Sequence, residues 1–347
     1  LAPASVVLGG TLLSLIGLTW DIQWHSDVGP DTFFTMPHLF LYAGSAVSGI
    51  ASLVVVLMTT ANAKRSRTVD PIVGGRAVGV FGRTFAAPVG YLVSGIGAAL
   101  FLVYGLWDQW WHGLYGFDAV IDSPPHIGLL LSISITMVGA VMIFAVARDQ
   151  RWGTYGVIGT AAVLLVFSMV TVLGLRAVPG ALASPVSVGT AFFSVMILFM
   201  AAHALKRRGG ALAVGVSVAV LQAVFWWFSP WAARVYADAS GLPLRDYTDG
   251  IPGLPNMIPM CLVIVAVAVE LMRGLPAWIP GALSGAIIAA CVPLQRVIVF
   301  GAPFPVNARY FTTIVLAAAL AAGAAMLGRR FGQMLRHLAP AKENSHA

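Results

Sequence analysis

Residues 20–44 read WDIQWHSDVGPDTFFTMPHLFLYAG and join two apolar runs, 4–20 and 36–60. A run of roughly 20 apolar residues crosses a bilayer as one helix, because its rise matches the hydrocarbon thickness. The stretch therefore reads as the turn of a transmembrane hairpin, and the rest of the chain repeats that grammar. Further runs fall at 85–107, 125–147, 154–175, 186–205, 210–228, 256–272, 276–300 and 310–327. The expected fold is all-α: a polytopic transmembrane helical bundle of about ten helices in five outward-facing hairpins. Of the 347 residues, 59% are hydrophobic and only 10% charged, with a mean hydropathy of +0.88. A β-barrel would alternate in segments of about ten residues, and a soluble chain this apolar could not cover its surface.

Charge orients the bundle, since cytoplasmic loops hold the excess of Lys and Arg. Lys64, Arg65, Arg67, Arg76, Arg83, Arg148, Arg151, Lys206, Arg207, Arg208, Arg273, Arg329, Arg330, Arg336 and Lys342 share one side; Arg176, Arg234, Arg245 and Arg309 take the other. Both termini are therefore expected in the cytoplasm, in an inner membrane of bacterial or archaeal type. The net charge of +7 is this orientation signal. It is not a nucleic-acid footprint, which would cluster on one face. The acids run the other way: Asp21, Asp27, Asp31, Asp108, Asp118, Asp122, Asp238, Asp246 and Asp249 are exoplasmic, against Asp70, Asp149 and Glu343. Carboxylates contribute little to topology, so chemistry must account for them.

Each returning helix is entered through a proline: Pro37, Pro125, Pro185, Pro255 and Pro305. Proline suits a first turn, where its missing N–H has no partner to lose. Loop 229–256 is the one long exoplasmic connection and reads as a lid or docking surface. The first run lacks a basic n-region and an A-x-A site and reads as a retained helix. Cys261 and Cys291 lie in apolar runs as packing residues. Glu270 is expected to snorkel toward the cytoplasm, Arg296 to anchor at an interface, and His203 to mark a boundary.

The first hairpin turn recurs in the second. WDIQWHSDVGPDTFFTMPH aligns with WDQWWHGLYGFDAVIDSPPH, pairing Trp20 with Trp107, Asp21 with Asp108, Trp24 with Trp111, His25 with His112, Gly29 with Gly116 and Asp31 with Asp118. After one inserted residue, Pro37 pairs with Pro125 and His38 with His126. A duplication explains this most economically. Asp21 and His25 stand at i and i+4 on one helix face, and His38 opens the next helix across a short turn, so the three converge. Asp108, His112 and His126 repeat the arrangement. Two imidazoles and a carboxylate with positions left open suit a catalytic metal, with copper, zinc or non-haem iron all admissible. Ionisable groups cost about 2.5–3.5 kcal/mol each at mid-membrane, so their repetition points to function. Asp31 and Asp118 read as helix N-caps or as partners orienting a ligating His; Asp27 and Asp122 lack a repeat partner and read as solvated. The tryptophans, Trp110 included, fit an aromatic belt. Haem is disfavoured: Gly116, Pro124 and Pro125 interrupt any single helix that could present His112 and His126 to two stacked haems.

These residues resemble the C subunit of particulate methane and ammonia monooxygenases, the copper-dependent membrane monooxygenases. That subunit carries D-x-x-W-H, an Asp six after the His, an F-T pair and a second His thirteen after the first. Asp21, Trp24, His25, Asp31, Phe34, Thr35 and His38 match each position. Its second site uses Asn, a His four later, and a His fourteen after that following a proline. Asp108, His112, Pro124 and His126 keep the spacing, with Asp in place of Asn. The likeness covers roughly residues 1–150; residues 151–337 form an additional helical region and 338–347 a polar tail.

The resemblance implies copper held by Asp21, His25 and His38 as the catalytic site, and by Asp108, His112 and His126 as a second, with Asp31, Asp118, Trp24 and Trp111 around them. It implies a subunit oxidising a short hydrocarbon or ammonia with O2. It also implies other membrane subunits, including an exoplasmic cupredoxin-bearing one, contact with lipid and no nucleic acid. The alternatives are a membrane protein that transports, loads or senses copper, and a structural subunit without catalysis.

Overall fold

The computed structural model describes residues 1–29, 31–67, 74–116, 121–205 and 207–338. Asp118, the tail beyond residue 338, and Asp70, Lys206, Lys342 and Glu343 among the orientation charges lie outside the described residues. Among the described residues, nine helices are long and apolar enough to cross a membrane. They are α1 (Ala2–Asp27), α2 (Met36–Lys64), α3 (Val89–Tyr115), α4 (Pro124–Val146), α5 (Arg151–Thr171, continued by a 3-10 turn Val172–Ala177), α6 (Pro185–Ala204), α7 (Gly210–Ser240), α10 (Trp278–Phe300) and α11 (Ala308–His337). The chain is an all-α, multi-pass membrane protein.

The expected eighth span, 256–272, is instead broken into α8 (Gly253–Met257) and α9 (Leu262–Leu271). Pro255 and Pro259 each remove a backbone N–H, so an unbroken ladder cannot form. Two glutamines from neighbouring helices satisfy the carbonyls left over. Gln222 Nε2 donates to the Pro255 and Ile258 carbonyls, and Gln295 Nε2 to those of Asn256 and Ile258. Gln295 Oε1 accepts from the Met260 N–H. Irregular backbone at membrane depth is tolerated when buried in protein and paired in this way.

Three further expectations change. Residues 229–240 are helix, not loop: α7 carries Pro230 internally and stops at Gly241, whose φ of 66° is left-handed. The run expected at 85–107 starts as a strand, β2 (Phe85–Pro88), paired antiparallel with β1 (Ala77–Val80); its helix begins at Val89. Glu270 does not snorkel: Oε1 accepts from the Ala211 N–H in the first turn of α7, and Oε2 lies 3.6 Å from Arg273. Arg296 is exposed, as an interface anchor should be. Pro37, Pro125 and Pro185 do sit in first turns, but Pro255 falls in α8 and Pro305 precedes α11.

The duplicated hairpins are α1/α2 and α3/α4, and both close on small residues. A Cβ on Gly44 would lie 2.4 Å from the Gly10 carbonyl and the Ser14 N–H nitrogen, and one on Gly139 would lie 2.3 Å from Ser94 N. Backbones this close gain dispersion and interhelical hydrogen bonds, such as Ser14 Oγ donating to the Leu41 carbonyl at 3.2 Å. α4 and α5 are the most enclosed helices. A single apolar core runs from Ala4 through Phe167 to Leu335, joining both ends of the chain.

Candidate metal centre

The end of α1, the turn 31–35 and the first turns of α2 carry the first cluster. Asp21, His25, Asp31 and His38 each offer a ligand atom, all within 4.8 Å of one another. His38 Nε2 lies 3.1 Å from Asp21 Oδ1 and 3.4 Å from Asp31 Oδ2; His25 Nε2 lies 3.1 Å from Asp31 Oδ2 and 3.7 Å from Asp21 Oδ1. The turn is tied internally: Thr35 Oγ1 accepts from the Thr32 N–H and donates to the Thr32 carbonyl, while Asp31 Oδ1 also accepts from Thr32 N–H. That carbonyl then accepts from His38 Nδ1 at 3.0 Å. A carbonyl only accepts, so the His38 proton resides on Nδ1, and Nε2 presents a lone pair to the cluster in the neutral ring.

The second cluster joins the end of α3 to the start of α4. Asp108, His112 and His126 also lie within 4.8 Å. Asp108 Oδ1 is 3.4 Å from His112 Nε2 and 3.3 Å from His126 Nε2, and the two Nε2 atoms are 3.4 Å apart. His112 Nδ1 donates to the Gly116 carbonyl at 2.9 Å, which again leaves Nε2 as an acceptor. Gly116, at φ 82°, turns that carbonyl back under the ring.

Three electron-pair donors thus face one another in a nearly equilateral triangle. One proton on His126 Nε2 can serve at most one of the contacts, and Asp21 Oδ1 and Asp108 Oδ1 are sealed from solvent without a hydrogen-bond donor. Unpaired buried acceptors are costly, on the order of 1–3 kcal/mol and more when charged. A cation at each focus removes that cost, and the outward Nδ1–H to carbonyl bonds are the orienting contacts that metal-binding histidines use. Burial works to raise the Asp31 carboxyl, but the hydrogen bond from His25, the neighbouring His38 and the Thr35 hydroxyl outweigh it and hold it below the usual carboxylate range. Asp31 is therefore ionised and is a fourth donor rather than only an orienting partner.

Both clusters line one cavity of about 330 Å³, walled by Leu18, Ile22, Leu41, Leu129 and Ile133 and reached by Arg176 and Met257. The remaining expected site residues take other places. Trp24 is buried against Tyr236 of α7, and Trp111 packs on Trp107 and Tyr115. Trp20 packs edge-on to Phe40, Phe228 and Tyr236, not in a belt, whereas Trp110 is exposed. Asp27 is not solvated: it is 6% exposed and accepts from Gln23 Nε2 at 2.9 Å.

Residues outside the motif hold the end of α1 in place. Arg245 donates from Nη1 to the His25 carbonyl at 2.8 Å and from its backbone N–H to the Asp27 carbonyl at 2.7 Å. Gln23 Oε1 accepts from the Gly253 N–H, and Thr19 and Ser229 hydroxyls meet at 2.8 Å. The segment expected as a lid thus clasps the backbone beneath the first cluster. Only the F-T pair signalled the turn in sequence; the clasp, 220 residues away, had no local signal. No family model matches the chain, and no curated protein or solved structure matches it.

Proposed function

We propose that this chain is the metal-binding subunit of a copper-dependent membrane monooxygenase acting on a small apolar substrate with O2. The observation that carries the reading is that two carboxylate–imidazole clusters, built by duplicated hairpins, open on one cavity that is otherwise apolar. Asp21, His25 and His38, joined by Asp31, would hold the catalytic copper; Asp108, His112 and His126 would hold the second. Imidazole and carboxylate donors suit copper, and zinc or iron would compete on the same donors. The bound metal supplies O2 activation, for which the chain itself has no chemistry.

The protein residues do the rest. Thr32 and Gly116 carbonyls fix which imidazole nitrogen points inward. Leu18, Leu41, Leu129 and Ile133 exclude water and receive an apolar molecule, which protects a reactive site from side reactions. A volume of about 330 Å³ lies at the lower bound for ligand pockets and favours a short hydrocarbon or ammonia. Inserting one oxygen atom while the other leaves as water draws electrons and protons from outside. Partner subunits, an exoplasmic cupredoxin among them, fit that need. The charge pattern supports cytoplasmic termini with the clusters toward the exoplasm.

The resemblance over residues 1–150 supports the same reading. A copper-transport role is supported less: among the described residues, the two candidate clusters sit at one end of the bundle with no further cluster to continue a path. The test is metal analysis of the complex in native membranes, wild type against His25→Ala and His38→Ala. Copper content and substrate oxidation should both fall; unchanged copper overturns the reading, and vesicle uptake of copper without O2 consumption would favour transport.

A further inference from the structure

A second hollow adjoins the metal cavity. Along the outer face of the bundle, α2 and α3 diverge around an apolar groove of about 900 Å³ that runs from Tyr42 to Val56 on one helix and from Leu106 to Tyr91 on the other. At 1.5 Å per residue that is roughly 20 Å, most of a hydrocarbon layer. The helices touch at its floor, where small residues meet: a Cβ on Gly49 would lie 2.9 Å from the Ala98 Cβ, and one on Gly95 would lie 3.4 Å from the Ser52 Cβ. Its rims are exposed apolar side chains, Leu53 and Leu102 among them.

Two residues belong to both hollows: Phe33 and Tyr42 line the groove and the metal cavity alike. Their rings lie 5.0 Å apart, and Tyr42 stacks on His38 at 5.9 Å and leans on Phe101 at 6.0 Å. A pair of aromatic rings is thus all that the shared lining places between a lipid-facing channel and a metal-ligating imidazole. Phe33 sits on the turn 31–35 rather than in a helix, so it can swing without disturbing α2.

We propose that the α2/α3 groove is the binding site and entry path of a small free hydrocarbon, taken from the lipid phase and passed between Phe33 and Tyr42 to the metal cavity. Exposed apolar area on a membrane helix is ordinary; a groove with a small-residue floor that ends on the cavity wall is what singles this one out. The reservoir also fits, since a short hydrocarbon partitions into the bilayer, where its concentration exceeds that in water. The occupancy of the groove stands on the geometry alone; only the fate of the molecule at the metals rests on the monooxygenase reading.

The test uses the full complex in native membranes with a short alkyl diazirine, and in a parallel arm a phospholipid carrying the diazirine on its acyl chain. After photolysis, labelled peptides are mapped. The free alkyl probe is expected to label the groove and the Leu129–Ile133 cavity wall above the outer faces of α7 and α11, and unlabelled short alkane should compete. Ala46→Trp and Ala99→Trp, both at exposed groove positions, should abolish cavity labelling while copper content stays at wild type. The His25→Ala/His38→Ala variant should keep groove labelling after losing metal, which separates this inference from the monooxygenase reading. Labelling spread evenly over all lipid-facing helices overturns it. So does cavity labelling that survives both tryptophans, capture of the phospholipid probe alone, or a groove left unlabelled because a partner subunit covers it.

Discussion

Gly17 lies one turn before Asp21 on α1 and makes no contact with any ligand atom, yet its replacement by alanine should weaken metal binding at the first cluster. A Cβ there would stand 2.5 Å from Leu41 N and 2.8 Å from the Pro37 carbonyl. Both neighbours are α2 backbone, which cannot rotate away, and Pro37 and Leu41 bracket His38. Reaching the ordinary 3.4 Å requires α2 to retreat by about 0.9 Å. Metal constellations tolerate roughly 0.5 Å before they lose their grip, so His38 should leave reach of Asp21 and Asp31. Alanine gains about 1 kcal/mol of helix propensity over glycine. Overpacking costs about 1–3 kcal/mol, so strain wins. The expected loss is about 10–100-fold in copper affinity, the scale of disturbed ligand orientation. The assay is copper titration in a His112→Ala/His126→Ala background, which isolates the first cluster. Gly97→Ala serves as the control: its Cβ would meet Thr136 N at 2.5 Å in the other seam, so it should cost similar stability and leave the first cluster at wild-type affinity. Wild-type affinity in Gly17→Ala, or an equal loss in both variants, refutes the seam as the device that sets ligand geometry.

Replacing Gln222 and Gln295 by leucine should destabilise the broken helix by about 1–3 kcal/mol for each carbonyl left unpaired. Faster maleimide labelling of buried Cys261, at the head of α9, would report it. Arg245→Ala removes the donor to the His25 carbonyl, a charged bond worth about 1.5–3 kcal/mol at most and less here because the side chain is partly exposed. Limited proteolysis should cut the 241–252 connection more readily, with metal affinity at the second cluster unchanged. For Asp31 the folded carboxyl is held below its usual value, so the stabilisation is complete above the unfolded pKa near 4 and disappears as pH falls through the folded one. In metal-free protein, amide exchange of the 31–35 turn should therefore be protected at neutral pH and lost below about pH 4, and Asp31→Asn should abolish that pH dependence.

The bundle was legible because hydropathy registers span length directly, and the clusters were legible because duplication placed Asp, His and His at repeated offsets. What failed depended on backbone partners distant in sequence. Pro255 and Pro259 announce a break only once Gln222 and Gln295 are known to be near enough to make it tolerable. The helix through Pro230 was hidden because a proline with polar residues after it reads as a loop. Glu270 looked like a snorkelling acid because the N–H groups opening α7 are invisible to a local reading. Asp31 was placed beside the site but not in it, since its role depends on the Thr32–Thr35 turn folding its carboxylate toward His25.

The two clusters repeat in sequence but not in charge. Asp21 and Asp31 bring two carboxylates to the first; Asp108 alone serves the second among the described residues, with His112 and His126 neutral donors. An ion in an apolar, water-poor site is favoured when the formal charges around it cancel its own, because residual charge has no solvent to compensate it. The first cluster is therefore matched to a divalent ion and the second to a monovalent one. Under the copper reading, this predicts copper(II) in the first and copper(I) in the second at intermediate potentials. Electron paramagnetic resonance should then show one paramagnetic copper, lost in His25→Ala and kept in His112→Ala. Asp31→Asn removes one negative charge from the first cluster and should shift it toward copper(I), lowering the paramagnetic signal without emptying the site. Equal paramagnetic signals from both clusters, or a signal that survives His25→Ala, would show that ligand charge does not set the oxidation state here.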